Sequence, residues 1–311
     1  MKYVMGIDSG GTKFLVCVQN LFGENIAKYQ GPSATDCKLS PEEAITRINE
    51  NIDACLSKFS GRREECAYMV VGTAGLDHPE DQKIIDDLYN GLSGFKCPIY
   101  CVNDAVIAHE TVTGGIGAIV VAGTGSIAFG RNSEGKEARC GGWPLIIFGE
   151  EGSGTWISLQ AFRHLSTVFD GREEKSLLSE KIQQKLCINK GKDLVSICMD
   201  IENGRWVNPG LPCIVDEAAA EGDEAAIRIL RGAARRTFSL ADSIITRLSL
   251  EKEHPFIVGA WGSAIVKSPL HMKFYSENLK AKYPHVEVRT SEKDAAEGAC
   301  RMALERLKQS V

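Results

Sequence analysis

Residues 3–19 read Tyr3-Val4-Met5-Gly6-Ile7-Asp8-Ser9-Gly10-Gly11-Thr12-Lys13-Phe14-Leu15-Val16-Cys17-Val18-Gln19. An apolar run ends in an acid, a Gly-rich turn follows, and a second apolar run begins at Lys13. Short apolar runs bounded by turn residues are the pattern of buried strands. Residues 3–8 and 13–19 are therefore expected to pair, and a third strand, 24–29, follows the turn residues Asn20 and Gly23. Gly10 and Gly11 let the backbone approach an anion closely. Thr12 adds a hydroxyl, and successive N–H groups there can form a nest for phosphate. Asp8, at the strand end, can hold a hydrated divalent cation. Taken alone, these residues are better accounted for by a plain Gly-rich hairpin preceded by an acid.

The same pattern returns about a hundred residues later. Residues 118–122 are an apolar strand, Gly123-Thr124-Gly125-Ser126 is the turn, and 127–131 is the returning strand. Between the two hairpins, Ser40-Pro41-Glu42-Glu43 opens a helix, with Ser40 as its cap, Pro41 in its first position and Glu43 completing a capping box. Ala44, Ile45, Ile48, Ile52, Cys55, Leu56 and Phe59 keep helical spacing along it. Strands at 67–71 and 97–102 flank a helix near 81–92, and Thr113-Gly114-Gly115 breaks the pattern. Beyond the second hairpin the chain reads as mostly helical, the longest run being 223–248. Strands at 256–259 and 285–288 and a final helix at 292–308 complete it. The expectation is an α/β protein of two domains of related build, 1–112 and 113–311, each a mixed sheet with flanking helices.

Composition excludes several classes. The chain has 311 residues, 43% hydrophobic and 25% charged, which is globular rather than disordered or fibrous. A net charge of −5 argues against nucleic acid or an anionic membrane as partner. No apolar run nears the roughly 20 residues that span a bilayer, and an acid at position 8 comes too early for an export signal. A cytoplasmic location is expected. The 11 cysteines contain no Cys-x-x-Cys pair, so they read as reduced, small apolar side chains.

Three further segments can carry chemistry. Asn103-Asp104-Ala105 sits where the 97–102 strand ends, a usual place for active-site residues in α/β sheets. A carboxylate there can deprotonate a hydroxyl that attacks phosphorus; a helix cap would use Asp just as well. Gly141-Gly142-Trp143 and Gly149-Glu150-Glu151-Gly152-Ser153-Gly154 bracket the apolar stretch 144–148. Glycines, an aromatic and paired acids suit carbohydrate recognition, although acids also favour the start of a helix. Val258-Gly259-Ala260-Trp261-Gly262-Ser263 is a third strand-to-glycine turn, able to pass close to a purine or simply to join a strand to a helix. No phosphate-binding loop of the Gly-x-x-x-x-Gly-Lys-Ser/Thr type is present. The Gly-x-Gly-x-x-Ala match at 123–128 opens a strand rather than the helix that a dinucleotide fingerprint needs.

In order and spacing these segments resemble the N-acetylglucosamine kinase family. That family also contains the ATPase components of benzoyl-CoA reductase and belongs to the actin, hexokinase and chaperone-ATPase superfamily. The resemblance implies two RNase H-like domains around a cleft that takes MgATP and a sugar, with the last helix packing back on the first domain, and a homodimer. It implies that Thr12 and Thr124 meet the ATP phosphates, with Gly10, Gly11, Lys13, Gly123, Gly125 and Ser126 shaping those turns, and Gly259 and Ser263 beside the adenosine. Asp8 would position Mg²⁺, and Asp104 would be the base on the sugar 6-hydroxyl. Thr35, Gly142, Trp143 and Glu150 would lie beside the sugar.

This chain departs from the family pattern in three places. The family usually shows Gly-Trp-Gly and then Gly-Asp-Glu-Gly-Ser, whereas here Pro144 follows Trp143, the spacer is one residue longer and Glu150 replaces the aspartate. Thr35 stands where the animal enzyme has a sugar-binding asparagine. One extra methylene moves a carboxylate's oxygens by more than an ångström, enough to change which hydroxyl they meet. The competing expectations are an ATP-driven electron-transfer activator, towards which Cys140-Gly141-Gly142 points, and a non-catalytic ATP-binding regulator.

Overall fold

The computed structural model describes residues 1–35, 39–76, 79–143, 149–203 and 210–309. The apolar stretch 144–148 lies outside them. The chain separates into two compact units, Met1–Ile116 with Ser291–Val311, and Gly117–Thr290.

The first unit opens with β1 (Tyr3–Ser9), β2 (Lys13–Asn20) and β3 (Asn25–Pro32). There follow α1 (Pro41–Ser57), β4 (Cys66–Thr73), α2 (Pro79–Asn90), β5 (Ile99–Asn103) and α3 (Asp104–Thr113). The second unit holds β6 (Gly117–Ala122), β7 (Ser126–Arg131), β8 (Glu137–Gly141), α4 (Gly154–Phe169), α5 (Leu177–Leu186), α6 (Gly191–Glu202) and α7 (Leu211–Ala220). It continues with α8 (Glu224–Leu248), β9 (Ile257–Trp261), α9 (Ser263–Val266), α10 (Pro269–Lys282) and β10 (Glu287–Arg289). The last helix, α11 (Ala295–Gln309), belongs to the first unit.

The sheets share one plan. Their strand orders are β3-β2-β1-β4-β5 and β10-β9-β6-β7-β8. In each, three strands meander antiparallel and two more add in parallel to the first of them. β1 and β4 lie centrally and are buried along nearly their whole length, which is why they read as continuous apolar runs. β8 was not expected from sequence: it is a five-residue edge strand with only Ala138 fully buried, too short for its alternation to stand out.

Helix chemistry follows the sequence closely. Ser40 Oγ accepts the Glu43 N–H at 3.2 Å and Glu43 Oε2 accepts the Ser40 N–H at 2.8 Å, the reciprocal box expected there. Ile48, Ile52, Cys55 and Leu56 are buried on α1, while Ile45, expected on the same face, is 39% exposed in the first turns. α8 begins after Asp223, whose carboxylate accepts the Ala226 N–H, and buries one stripe from Ala225 to Leu248. The helix expected from residue 292 begins at Ala295, where Asp294 Oδ1 accepts the Glu297 N–H at 3.1 Å.

α11 lies against β1 where β1 has no side chain. A Cβ on Gly6 would stand 2.1 Å from the Ala296 carbonyl oxygen, and one on Gly298 would stand 2.5 Å from that of Ile107 in α3. Arg301 adds an ion pair with Glu110, a nearly buried carboxylate of α3. Each unit has its own apolar core, the first built on β1, β2, β4 and α1, the second on β6, α4, α7, α8 and α10. Among the described residues no helix is long and apolar enough to cross a membrane, and the cysteines are free thiols.

Candidate functional site

In the first unit, Asp8 and Ser9 end β1, and Gly10 to Thr12 turn the chain into β2, with the Gly10 N–H donating to the Lys13 carbonyl at 3.1 Å. The Gly10 carbonyl accepts two hydroxyls, Ser33 Oγ at 2.7 Å and Thr35 Oγ1 at 3.0 Å. Thr35, expected beside a sugar, is thus fastened to this turn. Gly11, Thr12 and Lys13 are exposed.

Register brings the acids together. Ser9 pairs with Thr73 and Thr73 with Asn103, so Asp8, next to the end of β1, and Asp104, just past the end of β5, lie at the same edge of one sheet, two strands apart. Asn103 caps α3, its side chain accepting the Ala105 N–H, and Asp104 is the first helical residue. Burial pushes the Asp8 carboxyl from its ordinary 3.8 up to about 6, Asp104 and Asp294 push the same way, and Lys13 opposes them. Sequence reading missed Asp294. It caps α11 and pairs with Lys28 Nζ at 2.9 Å, and it reaches Asp8 only because the chain returns to this unit at its end. Among the described residues, no three metal-ligating side chains gather as a ready cation cage.

In the second unit, the turn between β6 and β7 has its Gly123 N–H donating to the Gly125 carbonyl at 2.9 Å. The segment entering α4 is bonded onto it. Gly154 N–H donates to Gly123 O at 2.8 Å, Thr155 N–H to Thr124 O at 3.2 Å, and Ser126 N–H to Glu150 Oε2 at 2.6 Å. Ser126 Oγ is buried without a partner. Burial raises the Glu150 carboxyl above its ordinary range, and the Ser126 N–H works against that.

Gly141 and Gly142 are both left-handed, at φ 77° and 69°, which two bulkier residues would resist, and Gly142 N–H donates to Ser126 O at 2.9 Å. Trp143 follows at 64% exposure, its carbonyl against Gly149. Gly259 is buried in the middle of β9, paired with Ile119, while Ser263 starts α9 and is exposed. The glycine that meets the turn is Gly262, which sequence reading did not single out: a Cβ there would stand 2.4 Å from Ala122 O. Its place just after a strand, inside a Gly-Ser step, was the available signal.

The geometry thus presents, in each unit, a Gly/Thr turn between antiparallel strands, with paired carboxylates in the first and a glycine-lined aromatic loop in the second. The profile of the BadF/BadG/BcrA/BcrD ATPase family matches residues 5–303. An N-acetylmuramic acid/N-acetylglucosamine kinase of Clostridium acetobutylicum is 36% identical over 305 residues, covering 96% of this chain and 97% of that protein. An N-acetyl-D-glucosamine kinase of Dictyostelium discoideum is 29% identical over 310 residues, with 96% and 97% covered. A solved structure of a candidate N-acetylglucosamine kinase from Chromobacterium violaceum shares the fold at a TM-score of 0.75 and 20% identity, over 98% of this chain and 99% of that one.

Proposed function

Because the chain belongs to the BadF/BadG/BcrA/BcrD ATPase family, we propose that it is an ATP-dependent carbohydrate kinase acting on the 6-hydroxyl of an amino sugar. The sugar is N-acetylglucosamine or a close relative such as N-acetylmuramic acid. One observation carries this reading: the near-full-length likeness to a kinase named for both of those sugars. The two Gly/Thr turns and the carboxylate pair supply chemistry that agrees with it.

Phosphoryl transfer asks a protein mainly for positioning and charge stabilisation. Backbone N–H groups of Gly10–Thr12 and of Gly123–Ser126, with the Thr12 and Thr124 hydroxyls and the Lys13 ammonium, suit phosphate oxygens. Gly259 and Ser263 flank the adenosine in this proposal, and Thr35, Gly142 and Trp143 the sugar. Asp104 takes the proton from the 6-hydroxyl as that oxygen bonds to the γ-phosphorus and the bond to ADP breaks. Asp8 fits a magnesium ion, because hard oxygen donors suit it and a cation relieves the repulsion that Asp104 and Asp294 impose. When bound, the ion neutralises charge on the transferring phosphoryl group.

The test is ADP release measured with N-acetylglucosamine, glucosamine, N-acetylmuramic acid and glucose, the product located by phosphorus NMR. Release no faster with any sugar than without ends the proposal. A phosphate on another hydroxyl keeps the kinase and removes the 6-hydroxyl assignment.

A further inference from the structure

Glu150 is the one acidic residue of its loop whose carboxylate contacts the Gly123–Ser126 turn among the described residues. Its Oε2 accepts the Ser126 N–H at 2.6 Å, and it lies so close over Gly125 that a Cβ there would stand 2.4 Å from that oxygen. Its own backbone is left-handed, φ 63°, a conformation that costs a residue bearing a Cβ and persists only when its surroundings impose it. Glu150 O also accepts the Ser153 N–H at 3.0 Å, which fixes the segment entering α4. Gly154 and Thr155 then donate to the carbonyls of Gly123 and Thr124.

We infer that Glu150 is a positioning residue for the Gly123–Ser126 turn, holding it through the Ser126 N–H in the shape that receives a nucleotide phosphate. The nucleotide half of this statement rests on the kinase reading above; the hydrogen bond does not. Side-chain length is the physical reason for glutamate here. Aspartate would withdraw the carboxylate by about 1.5 Å, one carbon–carbon bond. A 2.6 Å contact would open to about 4 Å, beyond hydrogen-bonding range. Glutamine keeps both the reach and an acceptor oxygen. A turn with a free Ser126 N–H samples other shapes and binds phosphate less well.

The experiment has two readouts on the full chain. Amide exchange at Ser126, measured without nucleotide or sugar, should be accelerated far less by Glu150→Gln, whose neutral oxygen keeps the bond without its charge, than by the shorter variants. It should be about tenfold faster or more in Glu150→Asp and Glu150→Gly, the scale of one charge-assisted hydrogen bond. Glu150→Gly accepts the positive φ but also loosens the segment, so Glu150→Asp, which keeps a Cβ and the charge while shortening the reach, is the variant that decides. In the kinase assay, Glu150→Asp and Glu150→Gly should raise the KM for ATP about tenfold with the KM for sugar little moved, and Glu150→Gln should recover the ATP value. Unchanged Ser126 exchange in Glu150→Asp overturns the inference. So does a KM change confined to the sugar, which would make Glu150 a sugar ligand. Because exchange is read without substrate, a chain that phosphorylates nothing removes the kinase reading while the exchange result still decides the hydrogen bond.

Discussion

Asn103 carries the cap of α3 through its own side chain, and Asp104 stands one residue further along. Replacing Asp104 by Asn therefore removes basicity without removing the cap. The expected result is a fall in kcat of roughly 10²–10⁴-fold, the scale of a positioned general base, with the KM for ATP and the melting temperature nearly unchanged. A well-folded variant with near-normal kcat takes Asp104 out of the chemistry. Asp8 behaves differently, because its folded-state carboxyl sits at about 6 instead of 3.8. The fold favours the neutral form, so stability falls as pH rises from about 4 to 6 and stays lower above that. At pH 7 the cost is of order 3 kcal/mol. Asp8→Asn should melt higher than the parent at pH 7, show little difference near pH 4, and use MgATP poorly. A lower melting temperature at pH 7 contradicts the electrostatic account.

At the scale of elements, α11 rests on β1 backbone to backbone. Gly6→Ala places a methyl group into the Ala296 carbonyl, where no flexible side chain can yield, so the helix must lift from the sheet. A loss of about 3 kcal/mol is expected in chemical denaturation, the upper range for an overpacked site. Unaltered stability would mean that α11 does not dock there. In the second unit, His271 joins α10 to its neighbours, its Nδ1–H donating to Ala264 O at 2.8 Å and its Nε2 meeting Thr237 Oγ1 of α8. Burial pushes this imidazole down from 6.5 to about 4. The unfolded chain therefore binds the proton more readily, and stability falls as pH drops from about 6.5 to 4. The loss is of order 3 kcal/mol. Melts at pH 5 and 7 should show about 2 kcal/mol of it, and His271→Asn should flatten that slope; an equal slope in the variant places the titration elsewhere.

For the whole molecule, the two units differ in how the chain closes them. Gly117–Thr290 is continuous and holds the whole of its own core, whereas Met1–Ile116 needs Ser291–Val311 to cover the Gly6 face of its sheet. A fragment of residues 117–290 should give a cooperative thermal transition, since one contiguous apolar core supports independent folding. A fragment ending at residue 290 should keep that transition and lose the other. Two transitions surviving the truncation would show that α11 is dispensable for the first unit.

Much of this was legible in the sequence because it is local. The hairpin at 3–19, its echo at 118–131, the Ser40 capping box and the long helix after Asp223 depend on residue order over a few positions. Turn glycines and helix caps are read over that distance. Tertiary structure decided the rest. It made β8 a strand by giving it β7 to pair with, and it brought Asp294 to Asp8 from the far end of the chain. It left Ile45 exposed while Ile48 and Ile52 of the same face were buried, set Gly262 rather than Gly259 against the turn, and aimed Glu150 at the Ser126 N–H. These outcomes depend on which segments become neighbours after folding. Pairing, burial and the repulsion between carboxylates are properties of that neighbourhood, and the residue order around each position does not contain them.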